Sequence, residues 1–228
     1  MPGPFAPGAA GRAVRPWAER VWVWHEAADL RRFHPHPARR PALDLLWVGN
    51  WGDDERTAEL REFLLEPVCA LGLRAAVYGV RYPAQALRAL GEAGIEYRGW
   101  LPNYRVPLAL AGARLTVHIP RRAYAGALPG IPTIRVFEAL ACGKPLVSAP
   151  WEDREGLFRV GEDYRVVTDG AAMTRELARL LADPACARQL GARSRETVLA
   201  RHGCQHRVRE LLGLLATLEA PRAEARYA

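Results

Sequence analysis

Apolar residues cluster in short runs along the chain. They recur at 43–48 (LDLLWV), 75–80 (AAVYGV), 95–98 (IEYR), 115–119 (LTVHI) and 146–147, with a last run at 164–167 (YRVV). Runs of this length, bounded by Gly, Pro, Asn or Asp, predict strands rather than helices. Between them the apolar spacing changes to that of a helix. One helix is expected after a cap at Asp53 or Asp54, running through Glu59, Leu60, Phe63 and Leu64, with Pro67 interrupting or restarting it. A second covers 83–93 with Leu87 and Leu90 inward, and a third 106–111. From Gly170 onward the pattern is helical, over roughly 172–182, 184–202 and 205–218. Residues 21–24 (VWVW) read as a short strand or an apolar anchor. Strands alternating with helices predict an α/β fold: a doubly wound parallel sheet with a helical C-terminal segment. In such sheets ligands sit beyond the C-terminal strand ends, where the strand order reverses. The loops at 49–53, 78–81, 99–104 and 120–124 then form one rim with a helix start at 130–135.

That helix start is the most informative stretch, residues 129–148 (PGIPTIRVFEALACGKPLVS). Gly130 and its flanking prolines end what precedes. Pro132 suits a first helical turn, where a missing N–H costs nothing. Ile134, Phe137 and Ala141 give a small packing face. Gly143 stops the helix, Pro145 follows, and Leu146-Val147 enters a strand. Thr133 and Ile134 stand at a helix N-terminus whose N–H groups suit an anion, usually phosphate. Arg135 adds a guanidinium that can pair with two phosphate oxygens. Glu138, three residues on, can accept hydrogen bonds from sugar hydroxyls. The plainer alternative is an Arg135 ion pair with Glu138 or Glu155. Gly49 and Asn50 can let backbone approach a phosphate, or can form an ordinary tight turn. Arg121 and Arg122 face a ligand or stand as a solvated pair.

Composition narrows the function classes. The chain has 228 residues, 50% hydrophobic and 25% charged, with a formal net charge of +7. Lys144 is the sole lysine, so the basicity is arginine spread among Asp and Glu. A nucleic-acid protein would more often show a basic block interleaved with aromatics. Cys69, Cys142, Cys186 and Cys204 are far apart, which suits neither a disulfide framework nor a zinc site and points to a reducing, cytoplasmic compartment. No apolar run approaches the ~20 residues of a membrane span. His118, within an apolar strand, reads as a satisfied core histidine. His202 and His206 have i, i+4 spacing, but no further ligand cluster accompanies them.

Several of these segments together resemble the nucleotide-sugar-binding half of a GT-B glycosyltransferase (group 1 type), in particular the CgeB-type spore-maturation glycosyltransferase-like family. Residues 44–54 (DLLWVGNWGDD) resemble its first strand and glycine loop. Gly99-Trp100-Leu101 resemble the loop after its third strand, and 133–148 its most diagnostic segment. Leu157-Phe158 and 202–207 (HGCQHR) resemble later landmarks. The similarity runs from about Val21 to Leu215.

The resemblance implies a glycosyltransferase donor half that binds a nucleotide-diphosphate sugar, UDP-linked, for transfer to an unnamed acceptor. By this resemblance Glu138 holds the ribose. Trp100 and Leu101 edge the base. Thr133, Ile134 and Arg135 take the diphosphate, and Arg135 stabilises the leaving group. Arg56 is a loose match to the basic residues that follow the first strand. Relatives carry two glutamates here: Glu138 matches the second, and Gly130 occupies the place of the first, which contacts the donor sugar. No cofactor or metal is implied. Residues 1–40 form a Pro/Gly/Ala-rich tail and the remnant of a crossover linker, 41–220 the Rossmann-like domain and 221–228 a tail. The acceptor-binding half is then supplied by a separate domain. The other reading is a non-catalytic nucleotide-binding or partner-interaction module, prone to self-association.

Overall fold

The computed structural model describes residues 21–37, 41–52, 54–121 and 132–219. The expected tails 1–20 and 221–228, the linker at Arg39 and Arg40, Asp53, and the loop carrying Arg122 and Gly130 lie outside them. Among the described residues the strands are β1 (Leu43–Val48), β2 (Ala75–Tyr78), β3 (Ile95–Tyr97), β4 (Ala113–His118), β5 (Leu146–Ser148) and β6 (Arg165–Val166). They form one sheet in the order 3-2-1-4-5-6. Every pairing is parallel. The order reverses between β1 and β4, so a crevice is expected at their C-terminal ends.

The helices are α1 (Asp54–Leu60), α2 (Glu66–Leu71), α3 (Ala84–Glu92), α4 (Val106–Ala111), α5 (Ile134–Ala141), α6 (Gly170–Ala182), α7 (Pro184–Arg201) and α8 (Cys204–Glu219). They cover both faces of the sheet. On one face Leu45, Trp47, Leu115 and Val117 pack with Leu60, Leu64, Val68, Met173 and Leu177. On the other, Leu46 and Leu146 pack with Val136, Phe137, Leu140 and Val198. Alternate strand residues feed the two layers because successive side chains point to opposite faces. Burying each such aliphatic side chain stabilises the fold by about 1.5–3 kcal/mol.

Four local expectations are corrected. Pro67 does not interrupt the helical path, although the α-helix restarts with Pro67 in its first turn. The chain stays helical through a π-helical turn at Arg61–Leu65, where the Glu66 N–H donates to Arg61 O, five residues back. Pro67 then occupies the first turn of α2, where its missing N–H is harmless. Leu87 is 41% exposed, and Ala86 and Leu90 face inward instead. A narrow i, i+4 stripe is what this helix buries, and Leu87 lies beside it. Residues 21–24 form no strand. Their segment is tied to the α7–α8 turn: Trp24 Nε1 donates to Arg207 O at 3.0 Å, and the Ala28 N–H donates to His202 O at 3.1 Å. Pro132 lies before the cap rather than in the first turn, because Thr133 is extended (φ −80°, ψ 156°) and α5 starts at Ile134.

α5 is the element the site depends on. Val136, Phe137, Glu138, Ala139, Leu140 and Ala141 are all buried. It ends where Gly143 adopts φ +63°, a left-handed conformation that glycine takes without strain. The landmarks after it turn out to be its packing partners. Phe158 lies 5.3 Å from Phe137 and 4.7 Å from His202 between ring centroids. His202 Nε2 donates to Leu157 O at 2.7 Å, and its Nδ1 accepts from Arg207 Nη2 at 2.8 Å. Both ring nitrogens are thus committed to the protein, so His202 and His206 are no metal pair. Among the described residues no group of three or more His, Cys, Asp or Glu is arranged to hold a metal.

Candidate functional site

A crevice of about 210 Å³ opens at the C-terminal ends of β1 and β4, lined by Trp47, Gly49, Asn50, Arg56, His118, Arg121, Thr133 and Arg135. It lies at the reversal of strand order, and α5 starts on its rim. Of the expected site residues it brings together Gly49, Asn50, Arg56, Arg121, Thr133 and Arg135.

The β1 loop is fixed by its neighbours. Gly49 N–H donates to Tyr78 O at 2.9 Å, Gly49 O accepts from Tyr82 Oη at 2.8 Å, and Asn50 Oδ1 accepts from the Val80 N–H at 3.0 Å. A β-carbon on Gly49 would lie 2.4 Å from the Trp47 ring, so glycine is required for this close turn. The Asn50 side chain therefore holds the β1 and β2 loops together. Gly52, with φ +83°, lies under the Arg121 guanidinium, 2.7 Å from where a β-carbon would be.

Three arginines converge here. Arg56 crosses the crevice floor: its Nη2 donates to Ile119 O at 2.7 Å, and its guanidinium carbon lies 5.3 Å from the Trp47 ring centroid. Arg121 follows β4, and Arg135 projects from the first turn of α5. Thr133 caps α5 through its backbone, since Val136 N–H donates to Thr133 O at 3.0 Å and its side chain makes no cap hydrogen bond. A helix N-terminus with three guanidinium groups around it is suited to a multiply charged anion.

Glu138 lies behind this surface and is 2% exposed. Arg135 Nη1 donates to Glu138 Oε2 at 2.5 Å and to Asn103 Oδ1 at 2.8 Å. Asn103 Nδ2 donates to Glu138 Oε1 at 3.1 Å. The ion pair read as the plainer alternative is therefore formed, with Glu138; Glu155 instead pairs with His25 at 2.7 Å. Arg135 is 38% exposed in its side chain. Both contacts use Nη1, and Arg135 also lines the crevice. Burial pushes the Glu138 carboxyl above its ordinary value, while Arg135 and Asn103 pull it back.

Two residues of this network were not identified from the sequence. Asn103 lies in the turn after β3, whose loop was expected on the rim, but nothing in its spacing singled it out. Glu26 comes from the segment before β1, far away in sequence. Burial raises its carboxyl pKa, offset in part by the Ile134 N–H and by Arg135, which places a carboxylate beside the start of α5. Its backbone O accepts from Arg207 Nε at 3.0 Å.

Trp100 and Leu101 lie elsewhere. Neither lines the crevice; they follow β3, two strands from β1. Trp100 is 70% exposed rather than packed, and Leu101 rests against the core. Ile134 does not line the crevice, and its N–H interacts with the Glu26 carboxylate. His118 is buried as expected, but only one of its nitrogens has a partner: Nδ1 meets Ser148 Oγ at 2.9 Å, and Nε2 has none. No helix among the described residues is long and apolar enough to cross a membrane.

A family model described as glycosyl transferase-like matches residues 56–213. No curated protein matches the chain by sequence. Among solved structures the chain is similar to sucrose-phosphate synthase from Thermosynechococcus elongatus, at 21% identity and a TM-score of 0.72, over 93% of this chain and 57% of that one. It is similar to Anabaena HepE, solved with UDP and glucose, at 14% identity and a TM-score of 0.68, over 93% of this chain and 62% of that one. T4 phage BGT, solved with UDP and Mn2+, matches at 15% identity and a TM-score of 0.62, over 82% of this chain and 52% of that one. At these identities the likeness is one of fold, a Rossmann-like unit of GT-B type. The chain spans between 42% and 62% of the length of the similar structures.

Proposed function

The chain belongs to the glycosyl transferase-like family, and from that premise we propose that it is the donor-binding half of a GT-B glycosyltransferase. Its ligand is a nucleotide-diphosphate sugar, UDP-linked, as in the neighbours solved with UDP. The observation that carries the reading is the convergence of Arg56, Arg121, Arg135 and the start of α5 on the crevice between β1 and β4. The diphosphate lies against the start of α5, where it takes the place of the Glu26 carboxylate beside the Ile134 N–H, and pairs with the Arg135 fork. Glu138 orients that fork and meets the ribose if its contact to Asn103 gives way. Gly49 and Asn50 border the diphosphate, and Trp100 with Leu101 edges the base.

In transfer, the bond from the sugar to the diphosphate breaks as the acceptor oxygen bonds to the sugar. The nucleoside diphosphate leaves with the electron pair. Positive charge fixed at the start of α5 lowers the barrier by stabilising charge that grows on that leaving group. A base for the acceptor comes from a separate acceptor-binding domain, in keeping with relatives that extend well beyond the matched region. We place the donor domain at residues 41–220 and the chain in the CgeB-type subgroup, on residues 44–54 and 133–148. Donor binding needs no cofactor or metal in this reading. The compartment is cytoplasmic, as suits free thiols at Cys69, Cys142, Cys186 and Cys204.

Calorimetric titration with UDP, with GDP and ADP as controls, tests the proposal. The wild-type chain binds UDP saturably, and Arg135→Ala weakens binding by about 1.5–3 kcal/mol, the range for a charge-assisted hydrogen bond. A folded Arg135→Ala chain with unchanged affinity removes Arg135 from the site. A chain that binds no nucleotide supports the module reading instead.

A further inference from the structure

His118 stands at the C-terminal end of β4, 5% exposed. His118 lines the crevice and also a small space of about 20 Å³ shared with Glu138 and Arg135, and its Nε2 is buried. The hydrogen bonds around it decide its tautomer. Ser148 is fully buried, and its hydroxyl donates to Ala149 O at 2.8 Å. A carbonyl oxygen only accepts, so the single Ser148 proton is spent there. Ser148 Oγ must then accept from His118, and the ring proton sits on Nδ1. Nε2 is left with a lone pair and has no partner.

The ring stays neutral. Burial, with the Arg56 guanidinium second, pushes its pKa down to about 3. The crevice is otherwise rich in donors: Arg56, Arg121, Arg135 and the α5 N–H groups. An acceptor among them cannot serve a phosphate oxygen. It serves a group with a hydrogen to give. Leaving a buried nitrogen unserved is destabilising, and a ligand hydroxyl would serve it.

We propose that His118 is a donor-substrate contact whose Nε2 accepts a hydrogen bond from a hydroxyl of the nucleotide sugar in the crevice. The inference rests on the donor-site reading above and adds to it a residue that reads hydroxyl rather than charge. The hydroxyl belongs either to the ribose or to the transferred sugar, and the two sources are separable by experiment.

The test titrates wild type, His118→Asn and His118→Gln with UDP and with UDP-glucose. Asn can keep the contact to Ser148 but lacks an atom where Nε2 was. Gln places an amide oxygen near that position. His118→Asn is expected to bind UDP-glucose about 5- to 10-fold more weakly, as loss of one hydrogen bond predicts, and His118→Gln to recover most of the loss. An equal loss for UDP assigns the ribose hydroxyl; a loss for UDP-glucose alone assigns the sugar. Should His118→Asn not fold, nitrogen NMR of the wild-type histidines gives the same answer: the unprotonated His118 nitrogen signal shifts upfield when UDP-glucose binds. Wild-type binding with His118→Asn unaffected, or a signal that does not move, overturns the assignment alone and fits a ring nitrogen served by buried water. A wild-type chain that binds neither ligand overturns the donor-site reading, and this assignment with it.

Discussion

Glycine 79 shows how tightly single residues hold the rim. A β-carbon there would lie 1.9 Å from Gly49 O, a backbone atom that cannot rotate away. Its N–H also donates to Gly99 O at 2.9 Å, so Gly79 joins the loops after β1, β2 and β3. Gly79→Ala must push the β1 loop off its position. The expected cost is about 1–3 kcal/mol, as for other overpacked sites, measured as a lower urea midpoint. An unchanged midpoint would mean the loops give way freely. At this scale the sequence was a partial guide. Arg135, Thr133 and Gly49 were legible because helix starts and strand-end glycines carry local signals. Asn103 and Glu26 were not, since each acquires its role only when distant segments meet at α5. Trp100 is 70% exposed in its rim loop, so the base contact proposed for it rests on the position of the loop and not on packing of the ring.

At the scale of elements, two buried histidines join parts of the fold. His118 ties β4 to β5 through Ser148. His202 caps α7, holds Leu157 O and accepts from Arg207 on α8. Burial lowers the pKa of His118 to about 3 and that of His202 to about 4. Unfolded, each titrates near 6.5. Below that value the unfolded chain takes up protons that the folded chain refuses, so stability present above pH 6.5 is lost as pH falls toward 4 and 3. Between about pH 7.5 and pH 5 each should remove roughly 2 kcal/mol, about 4 kcal/mol for the two. Urea unfolding at those two pH values measures the loss; equal midpoints would contradict it. The strands and most helices were evident from apolar spacing, which is a local property. The π-helical turn at Arg61–Leu65 was not, because it depends on where packing against α6 holds the helix around Pro67.

At the scale of the molecule, the order 3-2-1-4-5-6 turns local signals into a site. Strand–helix alternation predicted a doubly wound sheet. The order itself was not legible there, because right-handed crossovers are compatible with more than one doubly wound order. The reversal between β1 and β4 leaves a gap above the strand ends, and the chain places its guanidinium groups and a helix start around it. The chain belongs to the glycosyl transferase-like family and shares its fold with larger glycosyltransferases. The central claim is that this gap holds a nucleoside diphosphate. The most direct measurement is a crystal structure of the chain with UDP bound. The account predicts the diphosphate in the crevice between β1 and β4, within hydrogen-bond distance of the Ile134 and Arg135 N–H groups and of the Arg135 guanidinium. UDP bound elsewhere, for example in the larger cleft lined by Trp24, His25 and Arg201, with the β1–β4 crevice empty, would contradict it.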